Sequence, residues 1–156
     1  MNKNTMKYLI ILFLILVVSC NDRTSLTEFQ KNDFENITRE YQTNYMEGSD
    51  NCKYILNALD ENIKMSESQF GQPPLNISYE QLVKYCPHLP KKEIISTITE
   101  QRLLTSNLGY DYVSQLYLRK SVGDTARETS SRVWQKKDGI WKIIQMNNSL
   151  NKACDN

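Results

Sequence analysis

Residues 133–144 read VWQKKDGIWKII, and this stretch decides how the end of the chain folds. Two runs rich in apolar and aromatic residues flank the dipeptide Asp138-Gly139. An Asp-Gly pair between such runs is a strong short-range signal for a β-hairpin, because both residues accept the backbone angles of a two-residue turn. The sequence therefore predicts that the domain ends in an antiparallel hairpin.

Similar strand-forming segments precede this hairpin. Residues 93–105, 110–121, 125–136 and 140–148 are rich in Ile, Thr, Val, Tyr and Trp, and short segments containing Gly separate them. Runs of this composition between turn residues are typical of consecutive strands. We therefore expect a meander of four long antiparallel strands.

The chain before Pro90 has the spacing of helices. Apolar residues recur at steps of three and four along a first helix, at Phe34, Ile37, Tyr41 and Tyr45. A second set at helical spacing follows Gly48, at Cys52, Ile55, Leu56 and Leu59. Helices that precede an antiparallel meander predict an α+β domain, with the helices on one side of the sheet.

Two shorter elements are expected between these helices and the meander. Residues 62–66 alternate apolar and polar side chains, which predicts a short strand. Gly71, Pro73 and Pro74 indicate a loop. Ser78 with Gln81 three residues later forms a capping box, which predicts a short helix that ends near Pro87.

The first twenty residues have the pattern of an export signal. Lys3 and Lys7 precede an apolar run over residues 8–18. As a helix this run would reach roughly 16 Å, too short for the ~30 Å core of a bilayer. The segment that follows, Val17-Val18-Ser19-Cys20, resembles the lipobox of bacterial lipoproteins. The alternative is an ordinary secretory signal followed by a chance cysteine.

The lipobox resemblance divides the chain into three parts. It implies a cleaved signal over residues 1–19 and a lipidated Cys20, followed by a polar tether to residue 28 and a domain over residues 29–152. Acyl chains on Cys20 would insert into a lipid bilayer and hold the domain at the bacterial cell envelope. Asn21 directly after the cysteine, with Asp22 one place later, favours the outer membrane.

The charge balance argues against a nucleic-acid partner. The chain has 19 basic and 18 acidic side chains, and removal of the signal leaves 17 basic and 18 acidic. No basic stripe is visible, whereas proteins that bind nucleic acids concentrate Lys and Arg on one face. We expect no nucleic-acid binding.

The remaining cysteines are compatible with one disulfide, but the sequence does not identify which two of them form it. Cys52, Cys86 and Cys154 could pair in three ways in an oxidising compartment. Cys86-Pro87-His88 offers two types of metal ligand, but a zinc site needs about four ligands at recognisable spacing. We therefore expect neither a metal nor a cofactor.

The order of elements and the last hairpin resemble one family. The helix, Gly48-x-Asp50, helix and short strand, together with the ending over residues 133–144, are similar to the nuclear transport factor 2-like (NTF2-like) superfamily, in particular its SnoaL-like and DUF4440-like members. The resemblance implies a curved antiparallel sheet wrapped around the N-terminal helices, forming a cone with a pocket. Members include isomerases, cyclases and dehydratases as well as non-catalytic binding domains, so the fold implies no single activity.

A non-catalytic pocket for a small amphipathic ligand is the favoured function. Its expected lining combines aromatic and amide side chains: Tyr41, Tyr45, Trp134, Gln145 and Asn147. If Arg132 faced inward in place of Trp134, an anionic ligand would be favoured.

The alternative is a lyase or isomerase acting on a small hydrophobic substrate, with Tyr41 and either Asp60 or Glu67 as its catalytic residues. By the resemblance to steroid isomerases of the superfamily, Tyr41 falls at the position of their tyrosine. The position of the base falls near Ser66, with Glu67 beside it, and that of a second acid falls near Ser131. Serine does not act as a general base at neutral pH without a partner, which disfavours catalysis.

Apolar residues on both faces of the predicted strands suggest that a second surface covers the sheet. Trp134 stands beside Val133, and Trp141 and Ile143 alternate with Ile140 and Ile144. Antiparallel sheets with helices on one side usually expose a polar second face. The simplest cover is another copy of the same sheet, so we expect a homodimer.

Overall fold

The computed structural model describes residues 25–120 and 123–153. The predicted export signal, the predicted lipidation site Cys20, the start of the predicted tether, and Cys154 lie outside these residues. The described residues form three α-helices and two 3-10 turns. These are α1 (Glu28–Glu47), a turn at Gly48–Asn51, α2 (Cys52–Ala58), α3 (Tyr79–Tyr85) and a turn at Cys86–His88.

The strands form one six-stranded mixed sheet in the order β2-β1-β6-β5-β4-β3. Their bounds are β1 (Leu59–Gln69), β2 (Leu75–Ile77), β3 (Glu93–Thr105), β4 (Leu108–Arg119), β5 (Asp124–Lys137) and β6 (Ile140–Lys152). The last four strands pair antiparallel in sequence order, which confirms the predicted meander. The curved sheet and its helices confirm the α+β fold.

One pairing departs from the expected antiparallel sheet. Strand β1 runs parallel to β6, with Met65 opposite Met146. The chain leaves β1, passes through β2, α3 and the meander, and returns in the direction of β1. A parallel pair requires a long connection of this kind and cannot be closed by a tight hairpin. Local sequence patterns do not report such a pairing.

Helix α1 has well-defined ends. Its first turn is capped by Thr27, whose hydroxyl oxygen accepts from the Gln30 amide at 3.2 Å while its own amide donates to the Gln30 side chain at 2.8 Å. Gly48 ends the helix at φ 69°, and a Cβ there would lie 2.7 Å from the carbonyl oxygen of Leu89. Glycine is therefore required at this position for both conformation and space.

Helix α1 packs on the sheet through aromatic side chains. The Phe34 ring meets Trp134 edge to face, with centroids 6.4 Å apart. A Cβ at position 109 would lie 2.4 Å from the Phe34 ring, so Gly109 on β4 lets the helix approach the sheet. This contact brings α1 directly against β4 and β5.

Two element boundaries differ from the sequence prediction. Leu59, expected on the buried side of the second helix, is the first residue of β1 and has extended backbone angles. β1 is therefore longer than the predicted strand over residues 62–66. Residues 75–77 form β2 where a loop was expected, because they pair with β1 from Met65 to Glu67.

In the described ranges no helix is long and apolar enough to cross a bilayer.

Candidate functional site

A cavity of about 590 Å³ lies between the helices and the β1–β6 end of the sheet. Its walls are mainly apolar and come from all three helices and from β1, β2 and β6. They include Ile55, Leu56, Met65, Leu82, Leu89 and Met146. This volume and lining are typical of sites for small organic molecules.

Two polar side chains lie side by side on the sheet wall of the cavity. Glu67 on β1 and Asn148 on β6 are register partners in the parallel pair, and both line the cavity. The Glu67 carboxylate accepts a hydrogen bond from the Gln69 side-chain amide. Asn148 is 8% exposed, and its Oδ1 is buried without a hydrogen-bond partner in the described residues. Buried polar atoms are nearly always paired, so an acceptor left without a partner in a cavity-lining residue needs an explanation.

Tyr41 and Tyr45 of α1 form the helical wall. Their rings stack with centroids 6.1 Å apart. The Tyr45 hydroxyl donates to Glu128 at 2.9 Å. Burial raises the pKa of Tyr41, and burial followed by the nearby Glu128 charge raises the pKa of Tyr45. Both phenols therefore stay neutral at physiological pH and offer rings and hydroxyl groups rather than charge.

The buried cations near this wall are neutralised within the protein. Lys92 lies 2.5 Å from Glu128 and 4.2 Å from the centroid of the Tyr45 ring. The Arg132 side chain donates to Asp111 at 3.0 Å and to Gln42 at 2.8 Å. Neither cation lines the cavity.

The five residues expected from the sequence to line one pocket do not all lie in this cavity. Tyr41 and Tyr45 line the cavity as predicted. Trp134 is completely buried behind them, with its indole N–H donating to Asp111 at 2.8 Å. Arg132, considered in place of Trp134, is buried on the same side, because residues two apart on a strand share a face.

Gln145 and Asn147 lie outside this cavity and line a second, more open cavity of about 580 Å³. The cause is a β-bulge. Trp134 pairs with Ile143 and Val133 pairs with Gln145, so Ile144 is an extra residue in β6. The bulge reverses the alternation, and Met146 and Asn148 face the cavity in place of the two predicted residues. Strict alternation from Trp141 would predict the opposite.

Of the residues considered for the alternative, catalytic function, some line the cavity and others lie outside it. Glu67 lines the cavity, whereas Ser66 faces away and donates from its hydroxyl to the Asn147 side chain at 2.8 Å. Asp60 lies away from the cavity and is 2.6 Å from Lys137. The hydrogen bond from Lys137 lowers the pKa of Asp60, which makes it a poor base. Ser131 pairs with Asn147 in the register, on the side opposite to the cavity.

A disulfide between Cys52 and Cys86 supports the third wall of the cavity. It connects the first residue of α2 to the turn after α3, with Cα atoms 5.5 Å apart. Cys86 and His88 line the cavity, so the bond holds the α3 segment over it. Sequence spacing left this pairing open. In residues 25–120 and 123–153, no three metal-ligating side chains gather in one place.

No protein-family model and no curated protein sequence matches the chain. Solved structures do match. An NTF2-like protein of unknown function from Shewanella baltica aligns with a TM-score of 0.59 and 11% identity, covering 83% of this chain and all of that one.

Two further matches carry names that refer to an enzyme class. A ketosteroid isomerase-like protein from Erwinia carotovora atroseptica aligns with a TM-score of 0.53 and 12% identity, covering 76% of this chain and 94% of the other. A hexachlorocyclohexane dehydrochlorinase aligns with a TM-score of 0.52 and 10% identity, covering 80% and 90%. At these identities the likeness shows architecture alone: the chain has the NTF2-like cone fold.

Proposed function

We propose that the chain is a non-catalytic domain that binds a small, mainly apolar ligand in its cavity. The observation that carries the proposal is the unpartnered Oδ1 of Asn148 in the wall of a mainly apolar cavity of about 590 Å³. Apolar walls supply affinity, and a few placed polar groups fix the orientation of a ligand. A core residue without a ligand role would leave this acceptor unsatisfied at a cost of about 1–3 kcal/mol.

The first test is native mass spectrometry on residues 21–156, purified from cells without detergent. Every described element and every residue that lines the cavity lie within residues 25–153, so residues 21–156 contain all of them. We expect a co-purified small molecule. A chain that is empty and takes up no apolar ligand would overturn the proposal.

A matched pair of variants on α3 sharpens this test. Leu82 lines the cavity, whereas its neighbour Val83 is exposed. Leu82→Trp should fill part of the cavity and reduce ligand occupancy at least tenfold. Val83→Trp adds the same bulk outside the cavity and should leave occupancy unchanged. Equal occupancy in both variants would place the ligand elsewhere.

A second candidate is a lyase or isomerase in which Glu67 removes a proton from carbon. It is favoured by the position of the Glu67 carboxylate on the cavity wall, and by fold neighbours named as a ketosteroid isomerase-like protein and a dehydrochlorinase. Asp60, the other carboxyl group considered for this chemistry, is held by Lys137 outside the cavity and cannot assist Glu67. A co-purified ligand that exchanges a carbon-bound proton for deuterium with the native chain, but not with Glu67→Gln, would support this candidate.

We also propose that the domain is anchored through acyl chains on Cys20, at the outer membrane of a bacterial envelope, and that it forms a homodimer. The support for anchoring is the lipobox-like Val17-Val18-Ser19-Cys20 behind an apolar signal. Cys20→Ser should move the protein from the membrane to the soluble fraction.

For the dimer, the support is an exposed apolar edge that includes Ile95 and Ile98 of β3. Sedimentation of residues 21–156 as a monomer would contradict it.

A further inference from the structure

Two hydrogen-bond acceptors lie side by side in the cavity wall. Glu67 and Asn148 are neighbours across β1 and β6. Carboxylate oxygens accept hydrogen bonds, and the Asn148 Oδ1 has no partner in the described residues. Gln69, which also lines the cavity, donates from its side-chain amide to Glu67. Two adjacent acceptors match a ligand head group that carries several donors.

Glu67 brings a carboxylate to the cavity wall, and no lysine or arginine is among the described residues that line the cavity. The other ionisable side chains of this lining are three tyrosines and His88. No ion pair to Glu67 is present in the described residues. The nearby buried cations are already paired: the Lys92 side chain is 6% exposed beside Glu128, and Arg132 is 1% exposed beside Asp111. Neither of these two cations is therefore free to neutralise the Glu67 carboxylate.

We infer that the ligand is an amphipathic amine, whose protonated nitrogen is held between Glu67 and Asn148 while its apolar body lies against Met65, Leu82 and Met146. This inference rests on the proposed function and specifies its ligand class. An ammonium group has three donors and no acceptor, which matches the acceptor cluster. Its charge compensates a carboxylate that the protein leaves unpaired. An anionic ligand, which an inward-facing Arg132 would have favoured, meets repulsion here.

The test compares three probes that differ only in the head group: n-decylamine, n-decanol and decanoate. Each is titrated calorimetrically into residues 21–156 at pH 7, below its critical micelle concentration. Amines of this kind are protonated at pH 7, as lysine is. We expect the amine to bind at least tenfold more tightly than the alcohol, and decanoate to bind most weakly.

Matched variants locate the head group. Glu67→Gln should weaken amine binding at least tenfold and change decanol binding less than twofold. Asn148→Ala should weaken both, because either head group can donate to Oδ1. The controls are Glu61→Gln and Asn147→Ala, exposed residues on the same two strands, which should change neither affinity. Circular dichroism melting confirms that each variant is folded.

The outcomes separate this inference from the proposed function. Equal binding of the three probes, or amine binding that survives Glu67→Gln, overturns the amine inference and leaves an apolar binding cavity in place. Tighter binding of decanoate than of the amine also overturns it. If no probe binds, both the inference and the proposed function fail.

Discussion

Arg132 is among the largest fully buried side chains and carries a charge beneath α1. Its guanidinium group donates to Asp111 and to Gln42, and stacks 4.9 Å from the Tyr41 ring centroid. Removing one partner of a buried ion pair leaves the other charge uncompensated, at a cost of about 3–5 kcal/mol. We therefore expect Arg132→Met to lower the free energy of unfolding by that amount in urea titrations.

The control for this prediction is a surface pair on the same sheet. The Lys120 side chain is 75% exposed and lies 2.7 Å from Glu93. Exposed pairs contribute about 0–1 kcal/mol, so Lys120→Met should scarcely shift the unfolding midpoint. If Arg132→Met lowered the free energy of unfolding as little as Lys120→Met does, Asp111 would have another partner in the absence of Arg132.

Single residues also show where sequence reasoning succeeds and fails at this site. Tyr41 and Tyr45 were predictable because helical spacing fixes which side of α1 faces the sheet. Gln145 and Asn147 were placed on the wrong side of β6, because a single bulge at Ile144 reverses every later position. The bulge carries no glycine or other local signal. The position of Asn148 on the cavity side of β6 could therefore be recognised only from the strand pairing in the structure.

The same distinction holds for whole elements. The last hairpin, the meander, the helical spacing of α1 and the capping box of α3 were predictable because turn residues, caps and periodicity are local signals. The parallel β1–β6 pairing and the short β2 were not, since each depends on a partner far away in sequence. The cavity inherits this limit, because its sheet wall is built at the β1–β6 pair. The tyrosines of its helical wall could be predicted from helical spacing. The neighbouring positions of Glu67 and Asn148 could not, because they depend on the β1–β6 pairing.

The α3 segment depends on one covalent connection. Cys52 and Cys86 are 34 residues apart, and their bond ties the end of this segment to α2. A disulfide closing a loop of this size stabilises by roughly 3–4 kcal/mol, mainly by restricting the unfolded chain. We expect the double variant Cys52→Ala/Cys86→Ala to lose that stability in urea and to bind cavity ligands more weakly. Native protein treated with dithiothreitol should behave like the double variant. An unchanged midpoint after full reduction would contradict this role.

At the scale of the whole molecule, buried tyrosines should limit stability in alkali. Burial raises the pKa of Tyr117 to about 12, and it also raises those of Tyr41 and Tyr45 above their ordinary value near 10. Below pH 10 these phenols are protonated in both the folded and the unfolded chain, so their contribution to stability is fully present. Above pH 10 the unfolded chain loses protons that the folded chain keeps, and stability falls until the folded pKa is passed.

The expected decline is roughly 1.4 kcal/mol per pH unit for each such tyrosine in the interval between its two pKa values. Urea unfolding in brief titrations from pH 9 to pH 12 measures it. Tyr117→Phe keeps the ring and removes one ionising group, so its alkaline decline should be shallower than that of the native chain. Tyr85→Phe, at a side chain that is 60% exposed, is the matched control and should leave the slope unchanged. A native slope no steeper than that of Tyr117→Phe would mean that this phenol ionises as readily in the folded chain as in the unfolded chain.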